Sequence, residues 1–169
     1  MPEIVVVDSS VIINFANANM LHHFGSLARF DFVYVQEVNN EMEKPHTRKA
    51  FDEAKANGWL RQHDLTSIEG LSLYAHYQPL MENGEAASLS LALAEGWIIA
   101  CDEHRAFRRE AQKAMGARKR LYTTAGLMMA CIRNKVFDVA EADRLKEILV
   151  QKGYKMSFGS FAELIDAST

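Results

Sequence analysis

Apolar positions fall into two repeating patterns along this chain. Ile4-Val5-Val6-Val7, Phe30 to Val35 and Trp97-Ile98-Ile99-Ala100-Cys101 are short runs with apolar residues at nearly every position. They are too short for helices, and the first is rich in β-branched residues, so they predict buried strands. Leu121-Tyr122 predicts one more short strand, and the alternation from Trp59 to Leu65 predicts an edge strand with one wet face. Between these runs the apolar spacing is helical. Helices are expected over about Val11 to Ala18, Met20 to Leu27 and from Gln36 onward, with Pro45 interrupting the last and Thr47 to Asn57 resuming it before the stop at Gly58. Gly84 to Ala94 is apolar nearly all round, which predicts a helix buried between the sheet and other elements. A basic amphipathic helix follows Asp102 and ends near Met115. Further helices are expected from Thr123 through Ile132, over Val139 to Lys152 and over Phe158 to Ile165, while Ile68 to Tyr77 fits helix or loop. Strands alternating with helices predict an α/β fold around a mainly parallel sheet.

A chain of 169 residues is long enough for one domain with a sizeable core, burying roughly 70% of its unfolded surface. A single domain over 1–169 is expected, with about 139–169 as a C-terminal helical extension. With 49% hydrophobic and 24% charged residues the composition is that of an ordered globular protein. No apolar run approaches the roughly 20 residues of a spanning helix, and no basic region followed by an apolar run opens the chain, so a cytoplasmic protein without membrane contact is expected. Cys101 and Cys131 lie inside apolar segments without metal-ligand spacing and read as buried thiols. The adjacent His22 and His23 point about 100° apart on a helix and cannot share a metal as an i, i+4 pair can.

Net charge is -3, which by itself announces no nucleic-acid partner, but the charge is unevenly spread. Arg105, Arg108, Arg109, Lys113, Arg118, Lys119 and Arg120 crowd into one stretch directly after a group of acids. Alone, that is a solvated helix face. Beside an acidic centre, it is what an enzyme acting on phosphates needs, with Arg105, Arg108 and Arg109 as candidate phosphate contacts.

The acids carry the chemistry. Asp8 and Asp102 each follow a predicted strand directly, and ligands of open parallel sheets bind outside the carboxyl ends of the strands. Glu37 follows the strand ending at Val35, with Glu41 one turn further on the same face; Glu85 opens the apolar helix. Each has a plainer explanation. Asp8 caps a helix, although Ser9 or Ser10 would serve for that, and Glu37, Glu41 and Glu85 suit the positive end of a helix macrodipole. Taken together, Asp8, Glu37, Glu85 and Asp102 form a candidate set of oxygen ligands without histidine or cysteine, which suits Mg2+ or Mn2+ rather than zinc. Such a site activates water and stabilises charge at phosphorus, so the substrate class is a phosphodiester.

The segments VVVDSSVIINF, VYVQEV, GEAASLSLALA, IIACDEHRAFRREA and TTAGLMMA, in that order, resemble the PIN-domain family of metal-dependent ribonucleases, which includes VapC-type toxins of toxin-antitoxin pairs. The resemblance runs from Ile4 to about Leu164 and is closest to a branch with a Gly-Glu-Ala helix start and a Thr-x-Gly turn. It implies a three-layer α/β/α sandwich and a site for Mg2+ or Mn2+ built from Asp8, Glu37, Glu85 and Asp102, with Glu103, Thr124 and Ser10 in support. It also implies RNA as substrate, with an antitoxin protein and a second copy of the chain as expected partners. Many toxin members carry aspartate where this chain has Glu85, which leaves one metal ion and two both open. The competing readings are a non-catalytic PIN-like module binding RNA or protein, and an aspartyl-phosphate phosphatase. The phosphatase usually wants a second aspartate two positions after Asp8, where Ser10 stands, and a dinucleotide enzyme would need a GxGxxG that follows neither clear strand.

Overall fold

The structure, a computed structural model, describes residues 1–102, 105–116 and 120–167. Its centre is β1, Glu3–Val7, whose last three valines have no solvent exposure. A strand that is apolar from its second residue to its last has to be covered on both faces, as in a parallel sheet with helices on each side. β1 pairs in parallel with β2, Phe30–Tyr34, with Val5 opposite Phe32, and on its other side with β4, Ile98–Ala100, with Val5 opposite Ile98. β3, Arg61–Gln62, extends the sheet beyond β2, and β5, Leu121–Tyr122, extends it beyond β4. The order is therefore β3-β2-β1-β4-β5, all parallel. The chain builds outward from β1 in one direction, then crosses over and builds in the other. The reversal falls between β1 and β4, where a crevice opens at the carboxyl ends of the strands.

Two groups of helices enclose the sheet, giving the expected α/β/α sandwich. α1 (Ser9–Asn17) packs with α3 (Pro45–Ala56), α7 (Thr124–Arg133) and α8 (Val139–Gln151). α5 (Asn83–Glu95) packs on β1 and β4 and against α2 (Gln36–Asn40), α4 (Ile68–Tyr77) and α6 (Arg105–Met115). α9, Phe161–Asp166, closes the chain against α8. α5 is buried continuously from Gly84 to Ala92, as an apolar helix without a wet face must be, and it ends at Gly96 in the left-handed conformation that lets the chain turn into β4. Phe15, Phe32, Phe51, Phe107 and Phe161 are fully buried, and Phe24 stacks on Phe32 at 4.0 Å. Each such ring contributes about 1.5–3 kcal/mol through the apolar area it removes from water.

Two expectations are corrected. The alternating stretch Trp59 to Leu65 is strand only at Arg61–Gln62, because Trp59 N–H instead bonds back to Ala54 O at the end of α3 and only Val33 and Tyr34 offer pairing partners. The helical stretch from Gln36 is broken, but over residues 41–44 rather than at Pro45, which instead starts α3, since its missing N–H costs nothing in the first turn. Met20 to Leu27 coils as a 3-10 helix, Leu21–Ser26, with the His22 ring edge-on to Trp59 and the His23 ring edge-on to Phe137. Cys101 and Cys131 are both buried and free, and burial pushes the Cys131 thiol up to about 12. No described helix is long and apolar enough to cross a membrane.

Candidate active site

Asp8 is the first residue after β1 and sits at the switch point. Its backbone is extended and its N–H bonds to Ala100 O at 2.9 Å, so the ends of β1 and β4 are stitched together there. Its Oδ2 caps α1, accepting from Ser10 N at 3.1 Å and Ser10 Oγ at 2.6 Å, with the Cys101 Sγ at 3.5 Å. Its Oδ1 is buried and has no hydrogen-bond partner. The whole residue is 1% exposed. Burial pushes the Asp8 carboxyl above its ordinary value and the charge of Glu85 adds to this, while the Ser10 and Cys101 donors oppose it.

Glu85 stands in the first turn of α5, 4% exposed. The glycine before it has a steric reason. Glu41, at the C-cap of α2, accepts a hydrogen bond from Gly84 N at 3.0 Å, and a Cβ on residue 84 would collide with the Glu41 carboxylate. That contact satisfies one of the orphan donors at the start of α5, where no side chain of the helix's own cap does so. Burial raises the Glu41 carboxyl and the charge of Asp8 raises it further, against the donors Ser9 and Gly84 N. Asp8, Glu41 and Glu85 are thus electrostatically linked across three elements.

Glu37, the acid expected from this segment, is placed differently. It lies in the first turn of α2, partly exposed, and its charge is felt by Tyr74 of α4. The acid of α2 coupled to Asp8 is Glu41, one helical turn later. α2 ends at Asn40, so its last carboxylate is the one that meets the start of α5.

Asp102 follows β4 by two residues and is held by four donors. Its Oδ1 accepts from Thr124 N at 2.8 Å and from Tyr154 OH at 2.7 Å; its Oδ2 accepts from Asn14 Nδ2 at 2.8 Å and from the Thr124 hydroxyl. Ser10 links the two strand-end acids, its Oγ donating to Asp8 and accepting from Asp102 N at 3.0 Å. Burial raises the Tyr154 phenol above its ordinary value, and the neighbouring Asp102 raises it further. Thr124 and Ser10 both bond the strand-end acids, as do Asn14 and Tyr154, which the sequence reading did not name. Asn14 lies four residues after Ser10, on the same face of α1, and that spacing is a usable signal. Glu103 lies outside the described residues.

An open groove of about 580 Å³ runs beside this centre, lined by Ser9, Ile13, Glu41, Glu43, Met81, Glu82 and Asn83. On α6, Arg105, Arg108, Arg109, Gln112 and Lys113 line another of about 460 Å³. Part of that charge is already committed: Glu110 pairs with Arg109 at 2.9 Å and with Lys113 at 3.3 Å. Arg120 is turned away, donating to Gly96 O at 2.6 Å where α5 ends. Arg118 and Lys119 lie outside the described residues.

The donor chemistry fits a hard divalent cation. All the groups are carboxylates, and the unpartnered buried Oδ1 of Asp8 is an acceptor to which the protein supplies no donor. Among the described residues no three metal-ligating side chains are already closed around one point; Asp8 is linked to Glu41 and to Glu85 through charge. Such clustering of like charge in a crevice is common where it serves a function and costly where it does not.

An all-parallel sandwich with acids at its switch point defines a class of enzyme-like α/β folds. The chain belongs to the PIN-domain family: the family model described as a PIN domain matches residues 4–166, a span that includes all of α8 and α9. PIN domains are generally nucleases, and PIN nucleases typically use divalent metals. No curated protein matches the chain.

Proposed function

We propose that this PIN domain is a metal-dependent endoribonuclease hydrolysing RNA phosphodiester bonds. The observation that carries the reading is the buried, donor-less Asp8 Oδ1 at the switch point, in electrostatic contact with Glu85 and Glu41. Asp8, Glu41 and Glu85 would hold Mg2+ or Mn2+, with Asp102 the fourth acid of the centre. A bound ion of this kind lowers the pKa of a coordinated water and offsets the charge that builds on the phosphoryl oxygens. Ser10 fixes the Asp8 rotamer and Thr124 that of Asp102, so the acids are oriented before substrate arrives. The guanidinium groups of Arg105 and Arg108 on α6 supply the positive surface for the RNA backbone. Within the family we place the chain with the VapC-like toxins, acting as a cytoplasmic homodimer neutralised by an antitoxin protein; a small antitoxin reading frame directly upstream would support that placement.

The test is RNA cleavage in Mg2+ or Mn2+ by Asp8→Asn and Glu85→Gln, with folding checked by circular dichroism. Both are expected to lose activity by two or more orders of magnitude, on the order of what removal of an essential catalytic group costs. Undiminished metal-dependent cleavage by both variants would sink the reading. RNA binding that persists without any divalent-ion binding would favour a non-catalytic module instead.

A further inference from the structure

Asp8 and Asp102 end neighbouring strands, yet their carboxylates have opposite surroundings. Asp8 leaves one buried oxygen without a donor, whereas Asp102 has two donors on each oxygen. A carboxylate offers about four lone-pair sites, so Asp102 as it stands has none left for a cation. One of its donors has to leave before it can serve as a ligand.

Three of those donors belong to Asn14 and Thr124, on α1 and α7, helices that pack on each other beside the sheet. The fourth comes from elsewhere. α8 ends at Gln151, Gly153 adopts a left-handed conformation (φ +95°), and Tyr154 N–H bonds back to Leu149 O at 2.9 Å. This turn aims the phenol across 52 residues of sequence at Asp102 Oδ1. The phenol also meets the start of α7 through Ala125 N–H and Thr124, but it is the one donor carried from outside α1 and α7, and the segment that follows Tyr154 is irregular up to α9.

We propose that Tyr154 is a positioning residue that latches Asp102, occupying the oxygen lone pair a divalent cation would take and giving way when the cation binds. The latch rests on the reading of the crevice as a metal site and adds a control to it: the C-terminal segment governs how readily the fourth acid joins the centre. It also holds the unloaded centre together, because Asp102 then has a full complement of donors.

The experiment is calorimetric titration of Mn2+ into the full chain and its Tyr154→Phe and Asp8→Asn variants, paired with thermal unfolding in EDTA and in saturating Mn2+. Tyr154→Phe is expected to bind Mn2+ about tenfold more tightly, since the wild type must break a hydrogen bond to a charged group first. It should melt below wild type in EDTA, and that deficit should shrink or reverse in Mn2+. A purely structural tyrosine would give the same deficit in both. Unchanged or weaker Mn2+ affinity in Tyr154→Phe, with binding abolished in Asp8→Asn, removes the latch and leaves the metal site standing. Absence of Mn2+ binding by wild type and Tyr154→Phe alike removes both.

Discussion

Replacing Asp8 with Asn tests the centre through stability alone, without substrate. Asn is as good an N-cap as Asp, so the cap on α1 through Ser10 N survives and what changes is the charge. In the wild type a 1% exposed carboxyl keeps one oxygen without a donor and faces the charge of Glu85. An unsatisfied buried polar group costs about 1–3 kcal/mol, and the asparagine amide can turn a donor toward the neighbouring acids instead. Without divalent ions Asp8→Asn should therefore be more stable than wild type by about 2 kcal/mol, which for a chain of this size is a rise in Tm of roughly 4–8 °C.

The sign of the pH dependence follows from the raised Asp8 carboxyl. Between its ordinary value and its higher folded value, the native state binds more protons than the unfolded chain, so wild-type stability falls as pH rises through that window and stays reduced above it. Glu41 is raised for similar reasons and acts in the same direction. The advantage of Asp8→Asn should thus be largest at neutral pH and close as the solution is acidified. Adding Mg2+ or Mn2+ should then reverse the order, because an ion at a hundred times its Kd stabilises by about 2.7 kcal/mol only the protein that binds it. Thermal unfolding by circular dichroism from pH 5 to 8, with EDTA or with metal, measures all of this. A variant less stable than wild type in EDTA, with an equal response to metal, would refute the assignment of Asp8.

Glu41→Gln should reduce metal-dependent RNA cleavage at least tenfold while Glu37→Gln leaves it within about twofold, tenfold being the effect of roughly 1.4 kcal/mol; equal losses in a cleavage assay would restore Glu37 to the site. Gly84→Ala gains up to about 1 kcal/mol of helix propensity but displaces the Glu41 carboxylate and its charge-assisted hydrogen bond, worth about 1.5–3 kcal/mol. It should unfold in urea with a net loss of about 1 kcal/mol and lose Mn2+ affinity in calorimetry, so a more stable variant with unchanged affinity would contradict the close approach. Arg105→Ala and Arg108→Ala should each lower the salt dependence of RNA binding by about one unit of log-log slope without altering sequence preference, as filter binding across salt concentrations would show.

The centre of the sheet was legible because β1, β2 and β4 are largely buried, and continuous apolar runs followed by an acid mark both the strand and its carboxyl end. Asp8 and Asp102 follow from that directly: once β1 and β4 are placed, the residues after them must face the crevice. Acids borne on helices are harder. Glu37 and Glu41 are one turn apart on α2, so periodicity puts both on one face, and only the early end of that five-residue helix decides which one reaches α5. β3 was overread because alternation describes a wet face equally well in a strand and in an extended loop, and pairing depends on a partner that the sequence does not reveal.

The four donors on Asp102 show where local reading stops. Thr124 follows β5 as Asp102 follows β4, and Asn14 follows Ser10 by one turn, so each is tied to a strand end already marked by an acid. Tyr154 has no such tie, because its position depends on the length of α8, the turn at Gly153 and the packing of α8 on α1 and α7. The consequence reaches the chemistry. Two aspartates at equivalent strand ends invite the same role, but a carboxylate short of donors attracts a cation and one with all its lone pairs engaged resists it. Their surroundings separate them: Asp8 keeps a buried oxygen without a donor, and under the proposed latch Asp102 joins it when Tyr154 yields.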